Sequence, residues 1–414
     1  MIVAPAYPAG PPAEATPQGS LRPRPKPGLA NMEIEMKVRF DRIARIQAAM
    51  REQHWIAIVV VNHDDYRYLF GTDRAQPRAI IPFQGPTELV AFTGEEPELR
   101  AALADGEVRV FGSVGGQIHD VVGRLHELAA EAPAEWATGG RFKVGFQMWF
   151  ATPAFLIDMF RQVNPTVEVV SSDPVMDPLR TIKEPAEIAL LTEAQRIAGL
   201  GMDRARELLR TGVTSQEIAT EATYVMMKAG AEATSTPIYV NFGVETCMLH
   251  GRLSPTPLER GQFVLVDLTP TVDGYCANLA RTFVLGEPDA RQSELIAAYR
   301  EIVAAVRAKM RPGVTTAQLD AAAHEVCVAH GFGEYQVYGI GHGIGLRFEE
   351  PPASTIIPPH KNLPLSEGMT VTIGHTVLAI PGFGGARFED VYRVGAAGPE
   401  ILSDYPIDPI VTAR

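Results

Sequence analysis

The chain changes its pattern of secondary structure at Pro185, and this change constrains the fold more than any other feature of the sequence. Before it, from about 38 to 175, short β-branched runs alternate with amphipathic helical stretches, which predicts a partly parallel sheet covered by helices. After it, long helical stretches come in pairs and strand-like runs follow one another between glycine turns, which is typical of an α+β fold. The sequence therefore predicts an α/β domain at 32–180 and an α+β domain at 181–414.

The overall composition narrows the class of protein. The chain has 414 residues, of which 46% are hydrophobic and 21% are charged, as in a folded globular protein. Its 37 Lys and Arg residues against 49 Asp and Glu residues give a formal net charge of −12, which argues against a binder of nucleic acid or of anionic membranes. The longest wholly apolar run, 55–61, is far shorter than the roughly 20 residues that a membrane helix needs.

Two further features bear on the cellular setting. Residues 1–31 are crowded with prolines and have few large apolar side chains, so we predict a disordered proline-rich tail. The cysteines, Cys247, Cys276 and Cys327, are widely spaced and odd in number, which argues against a disulfide framework and favours a reducing compartment. We therefore expect a cytoplasmic protein.

The side chains best suited to chemistry lie after residue 240, near the ends of strand-like runs. They are His250, Asp267, Asn278, His342, Glu349, Glu350, His375, Arg387 and Glu389. An acid such as Asp267 at the end of an apolar run is by itself more often a turn cap than a metal ligand. His342, in contrast, lies inside the block Gly341-His-Gly-Ile-Gly345. Because glycines let a backbone or a ligand approach closely and add no packing of their own, this block predicts a functional histidine.

Five blocks around these residues occur in a fixed order. They are Gly261-Gln-Phe-Val-Leu-Val-Asp267, Gly274-Tyr-Cys-Ala-Asn-Leu-Ala-Arg-Thr-Phe283, Gly341-His-Gly-Ile-Gly-Leu346, Gly368-Met-Thr-Val-Thr-Ile373 and Arg387-Phe-Glu-Asp390. In order and spacing they resemble the creatinase/aminopeptidase P/prolidase family, and the junction Lys183-Glu-Pro185 fits as well. The resemblance implies a creatinase-like N-terminal α/β domain at 32–180 and a pita-bread catalytic domain at 181–414. It also implies a homodimer that acts on a small-molecule substrate.

The resemblance also indicates which residues would bind metal. Metallopeptidases of this family hold two divalent ions with Asp, Asp, His, Glu and Glu. The first Asp, the His and the last Glu fall on Asp267, His342 and Glu389. The bridging Asp falls on Asn278, and the remaining Glu falls on Gly374.

Two carboxylates are thus missing from the family's set, and this limits the charge that the site can neutralise. Asp267 and Glu389 together balance one divalent ion, and an asparagine is a poor bridge between two cations. His375 follows the glycine that replaces the lost glutamate, and an insertion shortly after it could bring this ring into the vacated place. We therefore predict at most one ion (Mn, Zn, Co or Fe), with ligands drawn from Asp267, His342, Glu389, His375 and Asn278. A metal-free pocket is an equal alternative.

Three functions stay open at this point. The first is a one-metal hydrolase that cleaves a C–N bond of an Xaa-Pro-like or amide/amidine substrate, with Glu349, which stands where the family has a His, as general base or acid. The second is a metal-free creatinase-type hydrolase or lyase in which His250 moves the proton. The third is a non-catalytic pita-bread binding protein. The predicted substrate-binding residues are His250, Glu350 and Arg387, and the side chains of Glu349 and Glu350 should face opposite sides of an extended segment.

Overall fold

The N-terminal end of the first helix lies earlier in the chain than the sequence suggests. The computed structural model describes residues 29–102, 107–111, 114–149, 152–335, 339–407 and 410–411. The predicted disordered tail, residues 1–31, lies outside these residues except for 29–31, which belong to the first helix. Proline disrupts a helix beyond its first turn, and the last proline of this segment is Pro27, so the helix can begin directly after it.

The N-terminal domain is one mixed six-stranded sheet with helices around it. Its strands are β1 (Trp55–Val60), β2 (Ala79–Pro82), β3 (Glu88–Phe92), β4 (Glu107–Phe111), β5 (Phe142–Phe146) and β6 (Val167–Ser171). Its helices are α1 (Leu29–Glu52), α2 (His63–Phe70), α3 (Glu96–Ala102), α4 (Val114–Glu131), α5 (Ala154–Val163) and α6 (Asp173–Thr181). The sheet order is β4-β3-β2-β1-β5-β6, and β1 pairs parallel to β5 but antiparallel to β2. The central strand β1 is buried along its whole length, as its β-branched sequence predicts.

Three short helices of this domain, α2, α3 and α6, are absent from the sequence-based expectation. Each is seven to nine residues long, too short for a helical period to stand out from a polar sequence. The α2 helix ends in a left-handed glycine, Gly71, whose backbone N–H donates to the carbonyl of Arg67. The glycine that ends the helix is a signal carried by the local sequence. The helix itself is stabilised by tertiary packing of its buried residues Tyr66, Leu69 and Phe70.

The catalytic-domain helices occur in two pairs, as the sequence predicts. They are α7 (Pro185–Leu208), α8 (Ser215–Lys228), α9 (Ala290–Lys309) and α10 (Thr316–Ala329). Pro185 occupies the first turn of α7, where its missing N–H has no cost. The helices α8, α9 and α10 each begin with a capping box, in which an N-cap side chain and a residue three positions later satisfy each other's backbone N–H groups.

The strands of this domain form several small sheets. They are β7 (Ala233–Thr234), β8 (Tyr239–Phe242), β9 (Phe263–Leu268), β10 (Pro270–Val272), β11 (Tyr275–Cys276), β12 (Leu279–Leu285), β13 (Thr370–Ile373), β14 (Leu378–Ile380), β15 (Gly384–Ala386), β16 (Asp390–Gly395), β17 (Gly398–Ile401) and β18 (Ile410–Val411). The two main sheets have the orders β18-β12-β9-β8 and β13-β16-β17. The first packs on α7 and α8, and the second packs with α9 and α10.

The two main sheets meet at one short bridge. The N–H of Ala280 donates to the carbonyl of Glu389 at 3.2 Å, and the N–H of Glu389 donates to the carbonyl of Ala280 at 3.0 Å. Each of the two sheets therefore packs against its own pair of helices, and the sheets join each other at this bridge. The candidate functional residues lie around this joint.

A buried ion network ties the two domains together. The guanidinium of Arg180, at the end of α6, donates to Asp65 of the N-terminal domain at 2.7 Å and to Glu350 of the catalytic domain at 2.9 Å. Lys183 donates to the second oxygen of Glu350. Because these side chains are almost wholly buried, the junction depends on their mutual pairing.

Within the described residues, no helix combines the length and the apolar character needed to span a membrane.

Candidate active site

Glycines allow the backbone segments of the site to approach one another closely. His342 lies on a segment that runs antiparallel beside β13 and is hydrogen-bonded to it through the backbone. A Cβ atom at Gly341 would lie 2.0 Å from the carbonyl oxygen of Thr372, and one at Gly343 would lie 2.4 Å from that of Glu350. Any other residue would push these segments apart, so the glycine block fixes the position of the histidine between them.

Three side chains form a compact, buried cluster: His342, His375 and Glu389. The Nδ1 atom of His375 lies 3.2 Å from Oε1 of Glu389, and the Nε2 atom of His342 lies 3.9 Å from that same oxygen. The two imidazole rings are nearly perpendicular, with centroids 4.6 Å apart. His375 follows β13 and Glu389 precedes β16, so antiparallel pairing of these strands brings the two side chains together.

The tautomer of His342 follows from its hydrogen bond. Its Nδ1 lies 2.9 Å from the carbonyl oxygen of Gly343, which can only accept, so Nδ1 carries a proton, and in the neutral ring Nε2 is left with a lone pair. This buried Nε2 has no hydrogen-bond partner among the described residues. A ring that donates one N–H to a backbone carbonyl and points a bare nitrogen at a carboxylate is the usual arrangement of a metal ligand.

A second group of site residues surrounds the guanidinium of Arg387. Its guanidinium lies 3.0 Å from Oδ2 of Asp267 and also pairs with Oε2 of Glu389. The other oxygen of Asp267 accepts a hydrogen bond from the side-chain amide of Asn278 at 3.0 Å. Both oxygens of Asp267 are thus already engaged, whereas Oδ1 of Asn278 has no donor in the described part of the chain.

Arg387 and Glu389 compete for one nitrogen of His375. The Nη2 atom of Arg387 lies 3.1 Å from Nδ1 of His375, and a guanidinium can only donate. When Nδ1 accepts from Arg387, it faces Oε1 of Glu389 as a second acceptor, with no proton between them. Nδ1 has a single lone pair, so a cation between Nδ1 and Oε1 would have to replace the hydrogen bond from Arg387.

Burial and ion pairing set the charge states of the site. Burial raises the pKa of the Asp267 carboxyl to about 6, although Arg387 opposes the shift. Burial would also raise the pKa of Glu389, but Arg387 and His375 outweigh it and hold that pKa well below its ordinary value. Burial lowers the pKa of His375 to about 4, so its ring is neutral near pH 7. A neutral imidazole beside an ionised carboxylate is the form that binds metal.

The backbone at position 374, where the family resemblance would place a glutamate, has a conformation that requires glycine. Gly374 has φ of +103°, and a Cβ atom there would lie 1.8 Å from the carbonyl oxygen of Phe388. A glutamate cannot occupy this conformation, because both its φ and its Cβ contact are forbidden. The next residue, His375, points at His342 and Glu389 instead. The hydroxyl of Tyr299 donates to the carbonyl of Gly374 at 2.7 Å and stabilises this loop, a contribution that no sequence pattern indicated.

His250 and Glu349 lie at the exposed side of the cluster. The ring centroid of His250 is 6.5 Å from that of His375 and 5.5 Å from that of Tyr239. Partial burial and Arg387 lower the pKa of His250, while Glu349 and Glu389 oppose the shift. One oxygen of Glu349 accepts a hydrogen bond from the hydroxyl of Thr355 at 2.6 Å, so its carboxylate is held in place.

Glu350 lies away from this cluster. Only 2% of its surface is exposed, and its two carboxylate oxygens bind Lys183 and Arg180. Its side chain therefore belongs to the junction between the domains, on the opposite side of the segment from Glu349. The expectation that Glu350 binds substrate has no support in this geometry, since neither oxygen is available. Arg387, the other expected substrate-binding residue, lies within the site but is 1% exposed and paired with two carboxylates.

Comparison with known proteins matches both halves of the chain. Residues 189–396 match the model of metallopeptidase family M24, and residues 42–182 match that of the creatinase/prolidase N-terminal domain. The Xaa-Pro dipeptidase of Pyrococcus furiosus is 30% identical over 248 residues, which is 60% of this chain and 70% of that protein.

Solved structures share the same architecture. The Xaa-Pro dipeptidase from Bacillus anthracis superposes with a TM-score of 0.79 at 25% identity and covers 90% of this chain and 100% of its own. Dipeptidase PepE from Mycobacterium ulcerans gives a TM-score of 0.77 at 27% identity, with 91% and 99% covered. The predicted two-domain fold and the family resemblance are therefore confirmed. The chain belongs to metallopeptidase family M24, a family of hydrolases, and it carries the creatinase/prolidase N-terminal domain ahead of its pita-bread catalytic domain.

Proposed function

We propose that the chain hydrolyses a C–N bond of a small polar substrate, of the Xaa-Pro dipeptide or amide/amidine type, with one divalent metal ion. The relatives named above as Xaa-Pro dipeptidases support the substrate class. The ion would be held by His342, His375 and Glu389. The observation that carries this proposal is the bare Nε2 atom of His342, buried 3.9 Å from a carboxylate oxygen that also faces His375.

The donor set fits one transition-metal ion. Two nitrogens and one oxygen suit Zn, Mn, Fe or Co. Ligand atoms about 2.0–2.2 Å from a tetrahedral ion lie roughly 3.3–3.6 Å from one another, which is close to the 3.2 Å and 3.9 Å separations in this cluster. Asp267 is left out of the proposed set because Arg387 and Asn278 occupy its oxygens, while Asn278 remains as a neutral oxygen ligand. When bound, the ion would polarise a carbonyl or activate water.

The chain's own residues supply the remaining chemistry. Glu349, held by Thr355 near the exposed rim, would act as the general base or acid. His250 lies on the same side and would hold the substrate or the oxyanion that develops during reaction. Arg387 would keep Asp267 and Glu389 ionised and fixed in place, because its guanidinium pairs with both.

Metal content and activity together test this proposal. Protein purified without chelator is expected to carry close to one equivalent of transition metal, and chelation should abolish hydrolysis of a panel of Xaa-Pro dipeptides, amides and amidines. Metal content below about a tenth of an equivalent, with activity intact in chelator, would contradict the metal-dependent function.

A metal-free hydrolase or lyase of the creatinase type is the second candidate. It is favoured by the pairing of Arg387 with both Asp267 and Glu389, which already supplies a cation to the two carboxylates. In that case His250 would move the proton, and activity should persist in chelator but disappear in His250→Ala. Ligand binding without turnover across the whole panel would favour the third candidate, a non-catalytic pita-bread binding protein.

We also propose that the chain forms a homodimer, as expected from the family resemblance. Large apolar side chains that are exposed in the single chain include Phe155, at 70%, and Tyr224, at 61%, and an interface would cover surface of this kind. The molar mass measured by light scattering during gel filtration should be twice 44.9 kDa. A mass equal to one chain would exclude the dimer.

A further inference from the structure

An apolar pocket lies within the N-terminal domain, between α4, α5 and the sheet that these helices cover. Its volume is about 100 Å³, of the same order as the roughly 150 Å³ apolar cavity that is large enough to bind benzene. The side chains around it are almost all hydrocarbon and include Val59, Ile80, Val90, Val121, Phe146 and Phe160. Because such a surface offers water few hydrogen-bond partners, the pocket suits the apolar part of a ligand.

Arg78 is the one charged residue among the described residues that line this pocket. It directly precedes β2, whose first residue, Ala79, pairs with Val60 at the carboxyl end of β1. The backbone carbonyl of Arg78 accepts a hydrogen bond from the N–H of Val90 at 3.1 Å, so the residue is fixed between β1 and β3. A positive charge therefore borders an otherwise apolar pocket.

The guanidinium of Arg78 has no carboxylate partner in the described part of the chain. Its side-chain contact there runs from Nη2 to Oε1 of Gln76 at 3.5 Å, the longest distance at which a hydrogen bond is still counted. Only the Nε atom is enclosed without a partner, so the Nη atoms are the ones that a ligand can reach. Burial lowers the pKa of this guanidinium, and no carboxylate opposes the shift. A partly buried cation without an anion is unfavourable, so the position favours an anionic ligand.

Other arginines of the same domain show what a completed pair looks like. Arg109 of β4 and Arg124 of α4 each donate to one carboxylate oxygen of Glu88. Both oxygens of Glu88 are therefore engaged, and this acid is not available to Arg78. A carboxylate brought by a ligand would give Arg78 the kind of partner that Arg109 and Arg124 find within the chain.

We propose that this pocket binds a small monocarboxylate with an apolar chain. The Nη atoms of Arg78 would donate to the carboxylate, because a guanidinium matches a carboxylate in both charge and shape. The chain would lie among the apolar side chains of α4, α5 and the sheet and gain from removal from water. The pocket shares no residue with the cluster of His342, His375 and Glu389, so the inference goes beyond the proposed function and does not depend on it.

A series of straight-chain compounds tests this inference. Acetate, butyrate, hexanoate, hexanol and hexylammonium are titrated by calorimetry into the full-length protein, with chelator present so that no metal ion attracts the carboxylates. Each added methylene should tighten carboxylate binding about fourfold. Hexanoate should bind at least about tenfold more tightly than hexanol, since it gains hydrogen bonds between charged groups, and hexylammonium should not bind. Equal affinity for hexanoate and hexanol, or no binding of hexanoate, would overturn the inference.

Variants at Arg78 locate the bound carboxylate. Arg78→Met keeps an unbranched side chain without its charge and should lower hexanoate affinity about tenfold, to the level of hexanol, while hexanol affinity stays unchanged. Arg78→Lys keeps the charge but loses the two-pronged geometry, so its hexanoate affinity should fall between those of the wild type and Arg78→Met. Arg45→Met is the matched control, because Arg45 is exposed on α1 and does not line the pocket.

A variant inside the pocket locates the apolar chain. Val121→Phe fills space between α4 and the sheet and should weaken hexanoate and hexanol binding to the same extent. Wild-type hexanoate affinity in Arg78→Met, or an equal loss in Arg45→Met, would show that the carboxylate binds elsewhere and would contradict the inference. If the melting curve of Val121→Phe shows that it does not fold, the ratio of hexanoate to hexanol affinity in Arg78→Met decides the matter. Because these measurements involve neither metal nor turnover, this inference and the proposed function can fail separately.

Discussion

Two buried clusters of charge lie on either side of the Glu349–Glu350 segment, and they differ in what they leave unsatisfied. At the domain junction, the carboxylate of Glu350 is enclosed by Arg180 and Lys183. In the candidate active site, Arg387 pairs with two carboxylates, but the Nε2 atom of His342 faces Glu389 without a proton or a partner among the described residues. Both oxygens of Glu350 are thus paired within the chain, whereas the site has ligand atoms to offer to an external cation. The two carboxylates Glu350 and Glu389 are similarly buried, and they differ in the kind of neighbour that each one has.

Removing a charge from the junction should have the largest effect. Glu350→Ala leaves Arg180 and Lys183 buried without their shared partner, and breaking a buried ion pair in this way costs about 3–5 kcal/mol. The free energy of unfolding, measured by urea denaturation, should fall by that amount while metal content stays near the wild-type value. Glu400→Ala, in the exposed pair with Arg393, is the control and should cost below about 1 kcal/mol. Similar losses in both variants would contradict a structural role for the junction.

Removing a ligand from the site should mainly affect metal binding. In His342→Ala the proposed set loses its bare nitrogen, and metal affinity should fall by more than about 100-fold, since even supporting residues of metal sites contribute 10–100-fold. Competition with a chromogenic chelator measures this affinity. His330→Ala, at a histidine that pairs with Glu301 on the surface, should bind metal as the wild type does. Unchanged affinity in His342→Ala would exclude this residue from the metal site.

The junction should also respond to pH through Asp177. Burial raises the pKa of this carboxyl to about 7, so between about pH 4 and pH 7 the folded protein holds its proton more tightly than the unfolded chain. This contribution to stability is therefore lost as pH rises. Asp177→Asn keeps the neutral form at every pH and should be about 1–3 kcal/mol more stable, relative to wild type, at pH 8 than at pH 5. Melting temperatures at the two pH values provide the measurement, and a difference that does not change with pH would refute it.

The smallest effect is expected from restoring a carboxylate to the site. Asn278→Asp places a third acid beside Asp267 and Glu389, and it replaces the amide that now donates to Asp267. Metal affinity should increase about tenfold, because an anionic oxygen binds a divalent ion better than a neutral one. Equilibrium dialysis gives both affinity and stoichiometry. Weaker metal binding in this variant would show that Arg387, rather than a metal ion, sets the charge that the site tolerates.

The sequence predicted most of the fold because its long elements carry clear signals. The helices α7 to α10 have capping residues and long periodic patterns, and β1 and β9 are short, largely apolar runs that contain several β-branched residues. The short helices α2, α3 and α6 were missed because they depend on tertiary packing instead of local signals. Within the site, the glycine block indicated His342, since the close approach of backbone that it permits can be read from the sequence.

The remaining features of the site depend on distances that no single segment encodes. Arg387 was expected near the substrate, yet its guanidinium lies between Asp267 and Glu389. It is placed there by the bridge between β12, which pairs with β9, and the residue before β16.

The bridge between Ala280 and Glu389 joins the two main sheets of the catalytic domain through a proposed ligand residue. A cation bound by Glu389, His342 and His375 would hold Glu389 in position and so stabilise this bridge, which is called the seam below. By linkage, any opening of the seam would cost the binding free energy of the ion as well as two hydrogen bonds. The amide hydrogens of Ala280 and Glu389 should then exchange with solvent much more slowly in the metal-loaded protein, so the strength of the seam would report on the occupancy of the site.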